Sequence, residues 1–167
     1  PICIRCCRRA RSCGGCWCWS ADGTAVVYAA VDGNLWWQPL PVDESGHDVP
    51  PARRLTDHGP DRVAQAPHAA AAGDRVVYVV DQSEVWSVPV LGGEPVRLDD
   101  GSADFCFDPQ VTPDGAAAVW LAWNVPAMPW DHARVDRVCY DGTVRDQCVP
   151  PARVQQPRFA PDGTLVC

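Results

Sequence analysis

The residues best equipped for chemistry crowd the start of the chain. Cys3, Cys6, Cys7, Cys13, Cys16 and Cys18 are six of its ten cysteines. Cys3-x-x-Cys6 and Cys13-x-x-Cys16 have the spacing of a four-thiolate zinc site. Only six residues separate the two pairs, fewer than a zinc ribbon leaves for a folded knuckle, and no strand pattern lies between them. A disulfide knot accounts for the same residues, and so does a stretch that is not native protein. A shifted reading of GC-rich coding DNA yields Arg, Cys, Gly and Trp in this way. No metal ligand is assigned, and residues 1–18 are taken as a Cys/Arg-rich leader, disordered or non-native. Cys106, Cys139, Cys148 and Cys167 lie in or beside apolar strands and are expected to be buried structural thiols. Thiols scattered in this way fit a reducing compartment, so a cytoplasmic location is expected.

The remaining candidates are weaker. His132 follows Asp131 directly, but adjacent residues on a strand or loop point apart and seldom form a base with its orienting acid. His47, His58 and His68 sit in polar or Pro-rich connections and read as solvated. The pairs Asp99-Asp100 and Asp43-Glu44 read as solvated loop carboxylates, since calcium needs more convergent oxygens than two neighbours supply. None of the six serines stands on a G-x-S-x-G elbow. No His-Glu-x-x-His, phosphate loop or dinucleotide fingerprint is present. Catalytic, metal and cofactor-binding residues are therefore assigned as none, and no cofactor is expected.

There remains an irregular aromatic loop, Trp123 to Asp131, and the strand that delivers it. Pro126 and Pro129 forbid a regular strand or helix interior there. Trp123 and Trp130 bracket the loop and are the residues singled out as a possible functional surface, because irregular loops on rigid scaffolds often carry function. The other six tryptophans fall in strands or beside turns, where a core role is the default. Ahead of the loop, Ala116 to Trp123 is an unbroken apolar run that suits a strand buried on both faces. Ahead of that, Thr112-Pro113-Asp114-Gly115 reads as a turn, Pro113 pre-setting φ and Gly115 marking the exit.

Turn and strand recur. WSADGTAVVYAA begins at 19, AAAAGDRVVYVV at 69, VTPDGAAAVWLA at 111 and FAPDGTLVC at 159. The marker aspartates Asp22, Asp74, Asp114 and Asp162 stand 52, 40 and 48 residues apart. A period near ~45 built from strand-like units is the signature of propeller blades. Within each unit the apolar strand is followed by an aromatic one: Leu35 to Trp37, Val85 to Val88, and Arg137 to Tyr140. A short outer strand then ends the first two units at Arg54-Leu55 and Arg97-Leu98, and the third returns through Thr143-Val144. Asp-Gly, the strongest short hairpin signal, occurs six times. No helical periodicity is present. The expectation is an all-β partial β-propeller of about three four-stranded blades over residues 19–167. Its blades lie near 19–66, 67–109 and 110–157, and the next starts at 158–167. A closed ring needs four to eight blades.

Bulk composition narrows the function classes. The net charge is −7, yet residues 1–18 carry four Arg and no acid, which leaves −11 on the rest. An acidic body argues against a nucleic-acid surface. No apolar run approaches a membrane span, and the basic start has no hydrophobic stretch after it, so it does not read as a signal peptide. Both ends, Pro1 and Cys167, look cut, and the chain is expected to be a fragment.

The turn-strand units TPDG and APDG resemble the propeller repeats of TolB-like proteins and of the prolyl oligopeptidase family of serine peptidases. Residues 104–131, DFCFDPQVTPDGAAAVWLAWNVPAMPWD, resemble the acylaminoacyl- and dipeptidyl-peptidase-type branch, in which such a strand leads into a W-x-x-P-x-M-P-W-D loop. VQQPRFAPDG, 154–163, resembles the start of that branch's next blade. Ala21 departs from the usual Pro, the second unit lacks its Pro-Asp-Gly turn, and residues 1–18 match nothing. The resemblance implies a non-catalytic N-terminal propeller that gates peptide substrates. The catalytic α/β-hydrolase domain would lie C-terminal to it in the parent chain. A TolB-like interaction propeller without an enzyme is the alternative.

Overall fold

The computed structural model describes residues 15–41, 49–70, 72–143, 145–149, 155–160 and 162–166. It is built almost wholly of short antiparallel strands. β1 (Trp17–Trp19), β2 (Ala25–Ala29), β3 (Leu35–Pro39) and β4 (Arg53–Arg54) pair in chain order as one sheet. A second sheet holds β5 (Ala64–Ala69), β6 (Arg75–Val80), β7 (Glu84–Pro89) and β8 (Val96–Arg97), again in chain order. The third repeats the plan with β9 (Phe105–Val111), β10 (Ala117–Trp123), β11 (Arg134–Cys139) and β12 (Arg145–Cys148). β13 (Arg158–Phe159) and β14 (Leu165–Val166) form a further pair. The chain is thus all-β, and its repeated four-stranded meanders make a partial β-propeller.

Each sheet opens with the strand before its marked turn. β5 and β9 therefore include residues 64–66 and 105–109, which the repeat pattern groups with the preceding unit. The turn is only the connection between a sheet's first two strands. Helix is confined to one turn among the described residues, α1 (Pro129–His132), with Pro129 in the first turn. Proline is tolerated there because its missing N–H has no partner inside the helix.

The turns explain why so few sequence types recur at them. Gly115 N donates to Thr112 O at 2.8 Å, and Gly23 N to Ser20 O at 3.0 Å. The Thr112 and Ser20 hydroxyls reach forward to Asp114 and Asp22 and accept the N–H of Ala117 and Ala25 at 3.0 and 2.9 Å. These bonds hold the Asp22 carboxyl down at about 2, the Ser20 hydroxyl contributing most. The second unit keeps the same closure without the Pro-Asp-Gly sequence, Gly73 N donating to Ala70 O at 3.1 Å. Its glycine has a packing role. A Cβ on Gly115, whose φ is +73°, would lie 2.8 Å from the Gly73 Cα. The turns of neighbouring sheets touch glycine to glycine.

Sheets stack face to face through apolar clusters. Val27, Leu35, Ala64, Val76, Tyr78, Val80 and Val88 fill the space between the first and second. Val77, Val79, Val85, Cys106, Val111, Ala118, Trp120 and Ala122 fill that between the second and third. β6 and β10 feed clusters on both their faces, so they read as continuous apolar runs rather than alternating ones. Trp120 is fully buried, and its Nε1–H has no partner among the described residues. Backbone bonds add a repeated latch. Ala64 N donates to Gly33 O at 2.8 Å, and Cys106 N donates to Gln82 O at 2.7 Å. The starts of the second and third sheets are thereby tied to the β2–β3 and β6–β7 turns of the sheets before them.

Candidate functional site

The Trp123–Asp131 loop is anchored at its root and exposed at its tip. Asn124 Oδ1 accepts the Asp104 N–H at 2.6 Å, its Nδ2 donates to Ser102 O at 3.1 Å, and Val125 N donates to Asp104 Oδ2 at 2.9 Å. Trp123 stacks on Phe105 at 5.3 Å, so it belongs to the third sheet. Trp130 sits on α1 with Val125 and Met128 nearby in the loop, all three exposed. The structure therefore gives the two tryptophans different roles and leaves only Trp130 as surface. Asp131 and His132 line a shallow depression with Pro126 and Ala127, and no hydrogen bond joins their side chains.

Two histidines read as solvated are not. His58 Nε2 lies 2.9 Å from the Tyr78 hydroxyl, and its ring meets the edge of Trp86 at 5.0 Å. Burial, then the nearby Arg62, pulls its pKa below the ordinary value. His68 accepts the Val111 N–H on Nδ1 at 3.0 Å, and burial holds it down at about 4. Asp99 is also no solvated loop carboxylate. Its side chain is 5% exposed, accepts the Val85 N–H at 2.7 Å and pairs with Arg97. Asp100 is exposed, as expected of a loop carboxylate, and faces Arg145. Connections between blades are folded against the sheets, which is why polar composition misleads there. His47 and the Asp43-Glu44 pair lie outside the described residues.

The thiols divide similarly. Cys106 is buried as expected. Cys148 is exposed, because β12 is the third sheet's outer edge and none of its residues is buried. Cys18 points into the first inter-sheet cluster, where burial pushes its pKa up to about 12. It is thus a packing residue rather than a metal-ready thiolate. Cys3, Cys6, Cys7, Cys13 and Cys167 lie outside the described residues.

A second repeat, invisible to the turn pattern, organises the first strands of the sheets. Ala66-Pro67-His68, Asp108-Pro109-Gln110 and Gln156-Pro157-Arg158 stand at the same offset before successive turns. The residue before each proline has positive φ: +50°, +48° and +52°. In β5 and β9 it makes a bulge, where the register shifts between Gln65 and His68 and opposite Val119 and Leu121. Bulges bend a strand and re-aim the side chains beyond them. The residue after each proline then works around the seam between blades. His68 takes the backbone of β9, Arg158 Nη1 pairs with buried Asp108 at 2.8 Å, and Gln110 Nε2 donates to Pro109 O at 3.0 Å and toward Asp108. In the first sheet the matching residue is Cys18, bonded to the backbone of Ala69. Positive φ before proline cannot be read from sequence. The x-Pro-x spacing was the signal available.

No family model matches this chain, and no curated protein does. Solved structures do. Puromycin hydrolase superposes with a TM-score of 0.62 at 24% identity, over 84% of this chain and 25% of that one. TolB from Acinetobacter baumannii gives 0.59 at 16%, over 90% of this chain and 36% of that one. The tricorn protease gives 0.58 at 12%, over 87% and 14%. The chain spans about a quarter of the length of puromycin hydrolase. The shared feature is the propeller fold, common to the peptidases and to TolB.

Proposed function

We propose that the chain is the non-catalytic propeller portion of a serine peptidase of the prolyl oligopeptidase family. In this reading it gates peptide access to a C-terminal α/β-hydrolase domain of a longer parent chain, in the cytoplasm. The observation that carries the reading is the Trp123–Asp131 loop. It is a long irregular excursion between strands β10 and β11, it is pinned by Asn124 and Asp104, and it presents Trp130 on a rigid blade. Its sequence is also the stretch that resembles the peptidase branch. The fold likeness to puromycin hydrolase supports the same reading. A fan of first strands with a polar seam suits a filter, because it offers hydrogen-bonding groups from successive sheets. The likeness to TolB, over nine-tenths of this chain, supports the second reading, an interaction propeller with no enzyme.

The experiment is to express the parent frame and label it with a serine-directed fluorophosphonate probe. A labelled serine on a G-x-S-x-G elbow downstream of residue 167 is the expected result. A parent frame with no such elbow and no labelling transfers the chain to the TolB-like reading. This chain alone is expected to hydrolyse no chromogenic dipeptide. Turnover that survives purification and serine-directed inhibition controls would refute that assignment.

A further inference from the structure

The inner-strand seam opens into a cleft of about 350 Å³ lined by His68, Gln110, Val111, Arg158 and Phe159 among others. Its chemistry is one-sided. Val111 N–H occupies His68 Nδ1, so the neutral ring carries its proton on Nε2 and is a donor there. Arg158 spends Nη1 on Asp108 and on Pro157 O, and its remaining guanidinium N–H groups carry no bond to the described residues. Gln110 is 5% exposed and held by its amide nitrogen. Among the described residues, Arg158 is the only charged one lining the cleft. Asp108 lies behind it, already bonded by both Arg158 and Gln110. This is a donor-rich pocket with an apolar wall from Val111 and Phe159, and its one cation, Arg158, is paired from behind by Asp108.

We infer that this cleft binds the free carboxylate end of a short peptide, with Arg158 as the cation and His68 as a second donor. A guanidinium offers planar paired donors matched to a carboxylate. The bulges in β5 and β9 supply the geometry for His68 and Gln110, since each turns the residue after its proline toward the gap between blades, and Gln156 repeats the positive φ ahead of Pro157 and Arg158. The inference rests on the peptide-gating reading for the identity of the ligand, and on the donors of the cleft alone for its carboxylate.

The test is calorimetric titration of this chain with N-acetyl-trialanine as the free acid, the same peptide as its amide, and hexanoate. The free acid is expected to bind roughly tenfold tighter than the amide, the difference one charge-assisted contact makes. Arg158→Gln is expected to erase the difference. Because that change also leaves Asp108 unpaired, the double variant Asp108→Asn/Arg158→Gln is measured alongside it, with thermal melting as the check on folding. Equal binding of acid and amide overturns the inference, as does tight acid binding by the folded double variant or the absence of binding by any carboxylate. Hexanoate binding as tightly as the peptide acid upholds the carboxylate site and removes the peptide reading. Failure of the serine labelling above leaves the site standing.

Discussion

At the residue scale, His68 is the titratable group with the clearest consequence. Its folded pKa, about 4, lies below the ordinary value of 6.5 because burial, then Arg158, disfavours the charged ring. The folded state therefore holds it neutral, and its Nδ1 must stay unprotonated to accept the Val111 N–H. The sign comes from linkage. The contribution is fully present above pH 6.5 and is lost as pH falls from there through about 4. Its ceiling is on the order of 3 kcal/mol. Urea unfolding of wild type and His68→Gln between pH 7.5 and 4 should show the wild type losing stability faster. Parallel slopes would show that His68 is not the group responsible. Trp120 gives a second residue-scale prediction. Its Nε1–H is buried without a partner among the described residues, so Trp120→Phe should cost about 1 kcal/mol or less. Trp120→Ala should cost about 3–5 kcal/mol through the cavity it leaves. Equal melting losses for the two would sink that account.

At the element scale, the turns matter as contact points between sheets. Gly33 has φ +81°, and a Cβ there would sit 2.3 Å from the Arg62 carbonyl oxygen, beside the Ala64 latch. Gly115 meets the neighbouring turn backbone in the same way. Gly33→Ala and Gly115→Ala should each destabilise by about 2 kcal/mol or more, combining left-handed strain with a backbone clash. Gly142→Ala is the internal control, since its φ is +74° but no atom lies within 4 Å of its added Cβ. Chemical denaturation should show it losing clearly less. If all three lose the same, the turn contacts contribute nothing beyond φ.

At the scale of the whole molecule, three sheets form an open fan. Cys18 faces the second sheet, so Trp17 and Trp19 fall on the opposite face, 45% and 53% exposed, edge to face at 5.7 Å. A bare aromatic sheet face is a site for association. The chain by itself should self-associate, and Trp17→Glu/Trp19→Glu should shift light scattering toward monomer. A wild type that is monodisperse and melts cooperatively would count against this.

The marked turns, the apolar runs after them and their spacing were enough to determine an all-β propeller, because strand-length apolar runs between Asp-Gly turns have few other ways to bury themselves. The two-faced burial of Ala117–Trp123 was legible for the same reason. The grouping of strands into sheets was not read, because the repeat was started at the marked turn, whereas that turn is a hairpin joining a sheet's first strand to its second. Nor were the packed, hydrogen-bonded roles of His58, His68 and Asp99, which come from connections folding back onto the blades. The seam itself was decided only in three dimensions. His68, Asp108 and Arg158 stand 40 and 50 residues apart in sequence and meet around one cleft only because the first strands of successive sheets, two of them bulged, bring them together.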